Sequence, residues 1–436
     1  MHVALVILHA DRKRGGAERF TIDLAERLLD QGHRVSLLAA GFGDGTPDAA
    51  GSAERVTLAH HGPTRLTRYL RFLDALDAHL DDTLYDVVHA MLPVDRCDVY
   101  HPHAGFAVVQ QATAHRAKAG RLARGLSWVG NRFSGRRRMF AKVERTLLQQ
   151  ENPPFVLSLS ETMKQELLAR LDVPQNCFVT LYNGVDLRRF DPGRHPEEDV
   201  RRKHGLGHDD TVALFVAQDF ARKGLAQVIH AMGRLRHPRL RLLVVGGDDH
   251  RPFRDLAKAR RVHKFVTFAG PQADTHAYYH ASDLLVMPSR HDPFPLAVLE
   301  ALAMGLPVVL SRQVGVSEII DDGRHGYVVE DWRDVKALAV ALGQLCVPAD
   351  RVRLRRAVVE LRPTLGTHRH MTRLLDVYDA VIQQKRAAGV LLDTPPKPSD
   401  TPPDGEPRTD QPDAPLNAAD QRPVPRQNGP RPPRDH

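Results

Sequence analysis

Cysteine is scarce in this chain: Cys97, Cys177 and Cys346 are odd in number and far apart. That pattern excludes a disulfide framework, offers no zinc-ligand spacing and fits a reducing compartment. Long hydrophobic runs are also missing, since no stretch approaches the roughly 20 apolar residues that cross a bilayer. The first apolar run, Val3–Leu8, is too short for the core of a secretion signal and follows no basic stretch, so it reads as a strand. The expected location is cytoplasmic, with a peripheral seat on a membrane left open. In one region carboxylates are nearly absent. From His115 to Arg145, ten cations (Arg116, Lys118, Arg121, Arg124, Arg132, Arg136, Arg137, Arg138, Lys142, Arg145) stand against one acid, Glu144. Leu122, Leu126, Trp128, Val129, Phe133, Met139 and Phe140 are interleaved with them. Without a recognisable nucleic-acid motif, this mixture suits an anionic membrane surface, where each basic residue contributes on the order of 1 kcal/mol. Nucleic acid is therefore not expected as a partner, despite a net charge of +8. A solvated basic face, or a loop over a cleft, is the plainer alternative.

What the chain does have is alternation. Its opening reads strand (Val3–Leu8), Gly loop (Gly15-Gly16), helix (Phe20–Gln31) and strand (Val35–Ala40). Strand-like runs at Asp86–Ala90, Phe155–Leu159 and Phe178–Leu181 continue the pattern, with helical stretches at Arg68–Leu80 and Thr162–Leu171. After the turn cluster at Asn183–Asp186 the logic restarts with Val212–Val216, Leu225–Leu235, Arg241–Val245, Phe265–Phe268, Asp283–Met287 and Pro307–Leu310. Short apolar strands alternating with helices, twice over, predict an α/β protein of two doubly wound, Rossmann-like parallel-sheet domains facing a cleft. The expected limits are 1–183 for the first domain, with the basic insertion at about 112–145, and 184–366 for the second. A helix over 367–390 is expected to cross back onto the first. Residues 393–436 include thirteen prolines and few large apolar side chains, so the tail from 391 is expected to be disordered.

The most informative run is His291-Asp292-Pro293-Phe294-Pro295-Leu296-Ala297-Val298-Leu299-Glu300, which continues to Gly305 and Pro307. It predicts a helix with Asp292 capping its mouth, Pro293 in the first turn and Gly305 as the stop. Eight helical positions would separate the carboxylates by roughly 12 Å. That is too far for one shared proton or metal, but it suits an elongated ligand. A helix N-terminus between them favours phosphate. An anion in the middle with hydroxyl-accepting carboxylates at both ends describes a sugar nucleotide. Upstream, Gln218-Asp219-Phe220-Ala221-Arg222-Lys223-Gly224 joins a strand to a helix start, where Arg222 and Lys223 can stabilise charge on a departing diphosphate. Gly15-Gly16 lies where a backbone approaches phosphate closely. By contrast, Gly41-Phe42-Gly43-Asp44-Gly45 opens no helix and reads as a turn. His101-Pro102-His103 follows a strand and borders the cleft. With Cys97 nearby it hints at a metal, but the remaining ligands are unspecified, so no metal site is expected.

The Asp292–Glu300 segment resembles the E-x7-E motif of retaining glycosyltransferases of family 4, which have the GT-B fold. Asp292 stands where that family usually has Glu. Pro295 stands where it usually has Gly, leaving the amides of Leu296 and Ala297 available. The Asp-Val-Tyr ending in Tyr100, the basic insertion after it and the spelling Asp219-Phe220-x-Arg222-Lys223-Gly224 resemble the lipopolysaccharide heptose glucosyltransferase I family over roughly residues 1–385. The resemblance implies a metal-independent hexosyltransferase with no cofactor beyond a nucleotide-sugar donor, UDP-glucose. Its acceptor would be a lipid-linked glycan such as an inner-core heptose, reached from the inner face of the cytoplasmic membrane. It further implies that Lys223 and Arg222 clamp the diphosphate, with Gln218 at the family's usual Arg position, and that Gly15-Gly16 faces the diphosphate. Glu300 would hold the ribose, Asp292 the donor sugar, and His103 would touch that sugar. Three rivals remain open: a non-catalytic sugar-nucleotide sensor or membrane adaptor of the same fold, a sugar-nucleotide epimerase, and a nucleic-acid-binding protein.

Overall fold

Strands β1 (His2–Ile7), β2 (Arg34–Ala39), β3 (Glu54–Thr57), β4 (Val87–Ala90), β5 (Val99–Tyr100), β6 (Phe155–Ser158) and β7 (Phe178–Thr180) form one parallel sheet, ordered 3-2-1-4-5-6-7. A second parallel sheet holds β8 (Thr211–Val216), β9 (Leu240–Val245), β10 (Val266–Gly270), β11 (Leu284–Met287), β12 (Val308–Ser311) and β13 (Gly326–Val329), ordered 10-9-8-11-12-13. The computed structural model describes residues 1–12, 14–43, 53–113, 135–194 and 199–390. Most of the basic stretch, part of the Gly41–Gly45 turn and the Pro-rich tail lie outside the described residues.

The inner strands are mainly apolar because helices cover both sheet faces, whereas the edge strand β3 (Glu54–Thr57) is partly exposed and carries Glu54 and Arg55. β4, β11 and β12 are buried at every position. Helices α1 (Gly16–Asp30), α2 (Arg65–Asp82), α3 (Ala107–Thr113), α4 (Gly135–Leu148) and α5 (Glu161–Leu168) belong to the first lobe. In the second lobe, α6 (Leu225–Leu235) follows β8 and α7 (Leu296–Ala303) follows β11. Helix α8 (Thr367–Ala387) ends the described chain, and its Met371, Leu374, Val377, Tyr378, Val381 and Ile382 join Val3, Leu5, Leu24, Leu28 and Leu37 of the first lobe in one core. Lys385 fixes its far end to Asp98 at 2.6 Å.

The two passages between lobes run side by side. The amide of Val185 donates to the carbonyl of Leu365 at 2.9 Å, and Gly184 lies so close to Thr367 that a Cβ there would sit 2.6 Å from its Cα. The first helix begins at Gly16 rather than at Phe20, so the Gly-Gly pair is itself the helix start. β3 and β13 had no sequence counterpart, because four-residue strands at sheet edges carry too little pattern.

Candidate functional site

The loop from β8 to α6 is built to aim two cations. Asp219 folds it by accepting from the Arg222 amide at 2.9 Å, and the Lys223 amide donates to the Asp219 carbonyl at 3.1 Å. Gly224 closes the turn with φ 88°, and a Cβ there would lie 2.2 Å from the Pro288 carbonyl oxygen, so only glycine fits. The neighbouring chain is held by the Arg290 amide, which donates to the Arg222 carbonyl at 2.9 Å. Lys223 consequently forms an ion pair with Oδ2 of Asp292, while Arg222 Nη1 lies 3.5 Å from the same oxygen and donates to the His291 carbonyl at 2.9 Å. Both members of the Lys223–Asp292 pair are nearly enclosed, at 12% and 8% side-chain exposure. Burial, and then Arg222, push the Lys223 ammonium down to about 7 against the pull of Asp219. Contact with Asp292 opposes that loss of charge. Gln218 is exposed on the same loop.

Asp292 does not cap a helix, contrary to the sequence expectation. Helix α7 starts at Leu296 with Pro295 as its N-cap residue and no side-chain cap, so Pro293 is not in a first turn. The reason is local. A residue before proline is pushed out of the helical region, and both Asp292 and Phe294 precede one. The segment is extended instead: the Asp292 amide donates to the Gln313 carbonyl at 3.1 Å and its carbonyl accepts from Gly315 at 2.9 Å. The helical-rise estimate for the two carboxylates therefore does not apply. The amides of Leu296 and Ala297 open the helix without a backbone partner, in the position that attracts an anion. The stop occurs at Gly305, where φ is 74° and the Leu306 amide returns to the Ala301 carbonyl at 2.9 Å.

Glu300 lies on this helix at 5% side-chain exposure and is held from two directions. The Tyr279 hydroxyl donates to Oε2 at 2.7 Å, and Arg19 Nη2 from the opposite lobe lies 3.0 Å from Oε1. Neither Arg19 nor Tyr279 was singled out in the sequence. Arg19 sits in the first turn of α1, so its reach across to Glu300 brings the Gly15-Gly16 helix start up to the acidic helix. A Cβ on Gly16 would meet nothing within 4 Å, whereas one on Gly15 would sit 2.8 Å from the Glu18 carboxylate. Gly16 thus presents bare backbone to open space at the mouth of the cleft.

His103 belongs to a separate group. Its ring packs on Phe20 with centroids 3.9 Å apart and on His101 at 4.1 Å, while His89 stacks on His101 at 5.3 Å. His370 of α8 closes the group, 5.5 Å from the Phe20 ring. Burial drives all four imidazoles toward the neutral form, His89 to about 3 and His370 to about 4. The Nε2 atom of His103 is enclosed without a hydrogen-bond partner. The same loop touches the second lobe at Gly105, where a Cβ would lie 3.2 Å from Pro293 Cγ. Among the described residues no group of three His, Cys, Asp or Glu side chains is placed to hold a metal ion, and no helix is long and apolar enough to cross a membrane.

Two family models match end to end along the chain: Glycosyltransferase Family 4 over residues 14–189 and Glycosyl transferases group 1 over residues 196–347. The chain is 25% identical to the lipopolysaccharide glucosyltransferase WaaG of Escherichia coli, over 73% of this chain and 82% of that one. The crystal structure of WaaG overlays with a TM-score of 0.71 at 23% identity, covering 90% of this chain and all of that one. A D-inositol 3-phosphate glycosyltransferase of Stackebrandtia nassauensis is 26% identical over 85% of this chain and 88% of its own length. The Anabaena protein HepE, solved in complex with UDP-glucose, shares the fold with a TM-score of 0.62 at 15% identity, over 89% of this chain and all of that one.

Proposed function

The chain belongs to the GT-B glycosyltransferases of family 4 type, close to WaaG, and from that premise we propose that it moves a hexose from a nucleotide sugar onto a glycan acceptor with retention. The donor is UDP-glucose, in line with the glucosyltransferase WaaG and with the UDP-glucose complex of HepE. The observation that carries this reading is the convergence of Lys223 and Arg222 on Asp292 at the entry to α7, with Glu300 of the same helix facing the Gly15-Gly16 helix start across the cleft. A transfer that breaks a sugar–phosphate bond builds charge on the departing diphosphate. Lys223, Arg222, the Leu296 and Ala297 amides and the start of α1 supply fixed positive ends for it without a metal or proton transfer. Glu300 is the ribose acceptor group and Asp292 the donor-sugar group. His103, neutral and with an unpartnered nitrogen, suits a sugar hydroxyl rather than an anion. The acceptor lies on the first lobe and is lipid-linked, such as an inner-core heptose, and the basic stretch 115–145 rests on the anionic inner face of the cytoplasmic membrane. The test is a thermal-shift panel of UDP-, GDP- and ADP-sugars, because a ligand that binds only the folded chain raises its melting temperature. UDP-glucose should give the largest shift, and release of UDP should require an acceptor; equal shifts from all three would refute the assignment of the base.

Two outcomes distinguish the parts. With Lys223 near 7, its charge is lost as pH rises, while the diphosphate diester of UDP-glucose does not titrate there. The KM for UDP-glucose should therefore rise between pH 7 and 9, up to about tenfold per unit, and Lys223→Arg should flatten the profile. Arg19→Ala leaves Glu300 without its cation in a site that must accept two phosphate charges. KM for the donor should rise by about tenfold, with kcat changed less; an unchanged KM would show that Arg19 only braces the lobes.

A further inference from the structure

Helix α5 belongs to the first lobe, yet its start is capped from the second. Its own N-cap residue, Ser160, accepts from the Met163 amide at 3.1 Å. The two amides before Met163 are taken by Glu318: Oε2 accepts from Glu161 at 2.8 Å and Oε1 from Thr162 at 2.7 Å. A carboxylate set across a helix start also meets the positive end of the helix dipole. Glu318 stands 157 positions after Glu161, in the 3₁₀ turn Gly315–Ile319 that follows β12. A third donor, the Tyr182 hydroxyl beside the first passage between lobes, reaches Oε2 at 3.1 Å.

The same turn backs Asp292, whose amide and carbonyl are held by Gln313 and Gly315. At Gly315 the approach is so close that a Cβ would lie 1.7 Å from the Pro293 carbonyl oxygen and 3.0 Å from Ser160 Cβ. Three segments therefore meet at one glycine: the Asp292 loop, the turn and the start of α5. The first lobe and its passage grip the Asp292 loop at two more points. Glu166 of α5 places Oε2 3.4 Å from His291 Nε2. The Tyr182 ring stacks on Phe294 with centroids 5.2 Å apart, and the Asn183 side-chain amide donates to the Phe294 carbonyl at 3.3 Å. His291 and Phe294 bracket Asp292-Pro293, so the donor-sugar acid is held from both neighbours.

We propose that Glu318 is a positioning residue for the transfer: by capping α5 it fixes the first lobe against the turn that backs Asp292, and so sets where the donor sugar sits. The claim rests on the transferase reading above. Lys223, Arg222 and Glu300, which serve the diphosphate and ribose, stand on other segments, so breaking the cap spares UDP and falls on the sugar. A displacement of reacting groups by about 1 Å costs on the order of 10²-fold in rate. The bond to Thr162 is exposed, so water replaces it and the fold survives the loss.

The test is Glu318→Ala in the full chain. The kcat for transfer from UDP-glucose should fall by about tenfold or more, while the thermal shift given by UDP matches wild type. Glu318→Gln keeps one acceptor oxygen and should lose less; it replaces the alanine variant in every arm should that variant melt below the assay temperature. A cycle with Asp292→Ala, followed at high enzyme concentration, separates positioning from a general loss of structure. In that background Glu318→Ala should lower the residual rate far less, because the group that Glu318 positions is gone. Equal losses in both backgrounds, or an unchanged kcat in Glu318→Ala, would overturn the assignment. A UDP shift lost together with the rate would assign the cap to the whole cleft and overturn it as well. Absence of a UDP shift in the wild-type chain sinks the donor reading beneath it instead.

Discussion

Lys223→Ala lowers kcat for sugar transfer by about 10²–10³, the usual cost of removing one fixed charge-stabilising group from a transition state. The geometry says why the effect falls on turnover rather than on the fold alone. Lys223 sits on the loop that Asp219 and Gly224 lock in place, and that loop keeps its backbone bonds when the side chain is cut. Its partner Asp292 is 8% exposed, and stranding a buried carboxylate typically costs about 3–5 kcal/mol. Arg222, 3.5 Å from the same oxygen, takes up part of that charge. The variant should melt somewhat lower yet stay folded at 25 °C. Measuring kcat at saturating donor, beside a melting curve, separates the two effects; wild-type-like turnover would mean that the diphosphate is neutralised elsewhere. Lys223→Arg should lose less than Lys223→Ala, because it keeps the charge.

Much of this molecule could be read before its structure was known. Both sheets announced themselves through short, mainly apolar strands alternating with helices, and α7 through its Gly305 stop. What could not be read was contact between segments far apart in sequence. Arg19 lies in an ordinary amphipathic stretch, and only the cross-lobe approach to Glu300 gives it a role. Tyr279 is likewise one apolar residue among others until its hydroxyl meets the same carboxylate. The start of α7 was misplaced because Asp-Pro was weighed as a cap, while the two prolines three and one residues before Leu296 held the chain extended. The four neutral histidines needed α8 to return to the first lobe, since His370 is 267 positions from His103. Of the basic stretch, the described part in α4 shows Arg136 half-buried over the Phe140 ring, with Arg137, Arg138, Lys142 and Arg145 exposed.

Glu144 is the sharpest case of a residue that composition misrepresents. As the one acid among ten cations it reads as a surface counter-charge. Instead it is fully buried and accepts from the Tyr100 hydroxyl at 2.5 Å, the Ala107 amide at 3.0 Å and the Val108 amide at 2.7 Å. It thereby ties α4 to the start of α3 and to the loop that carries His103. Glu144→Ala leaves three buried donors without an acceptor, at about 1–3 kcal/mol each, so urea unfolding should show a loss on the order of 4 kcal/mol. Its pH dependence follows from the carboxyl itself. Burial pushes it from 4.5 up to about 7, outweighing the three donors that pull it down. The folded chain then holds the proton more tightly than the unfolded chain between those values. Its stability from this group is greatest below pH 4.5, declines by at most about 1.4 kcal/mol per unit as pH rises toward 7, and is flat above. In Glu144→Gln, which cannot ionise, the difference from wild type should lose this slope. A slope that survives the substitution would assign the proton to another group.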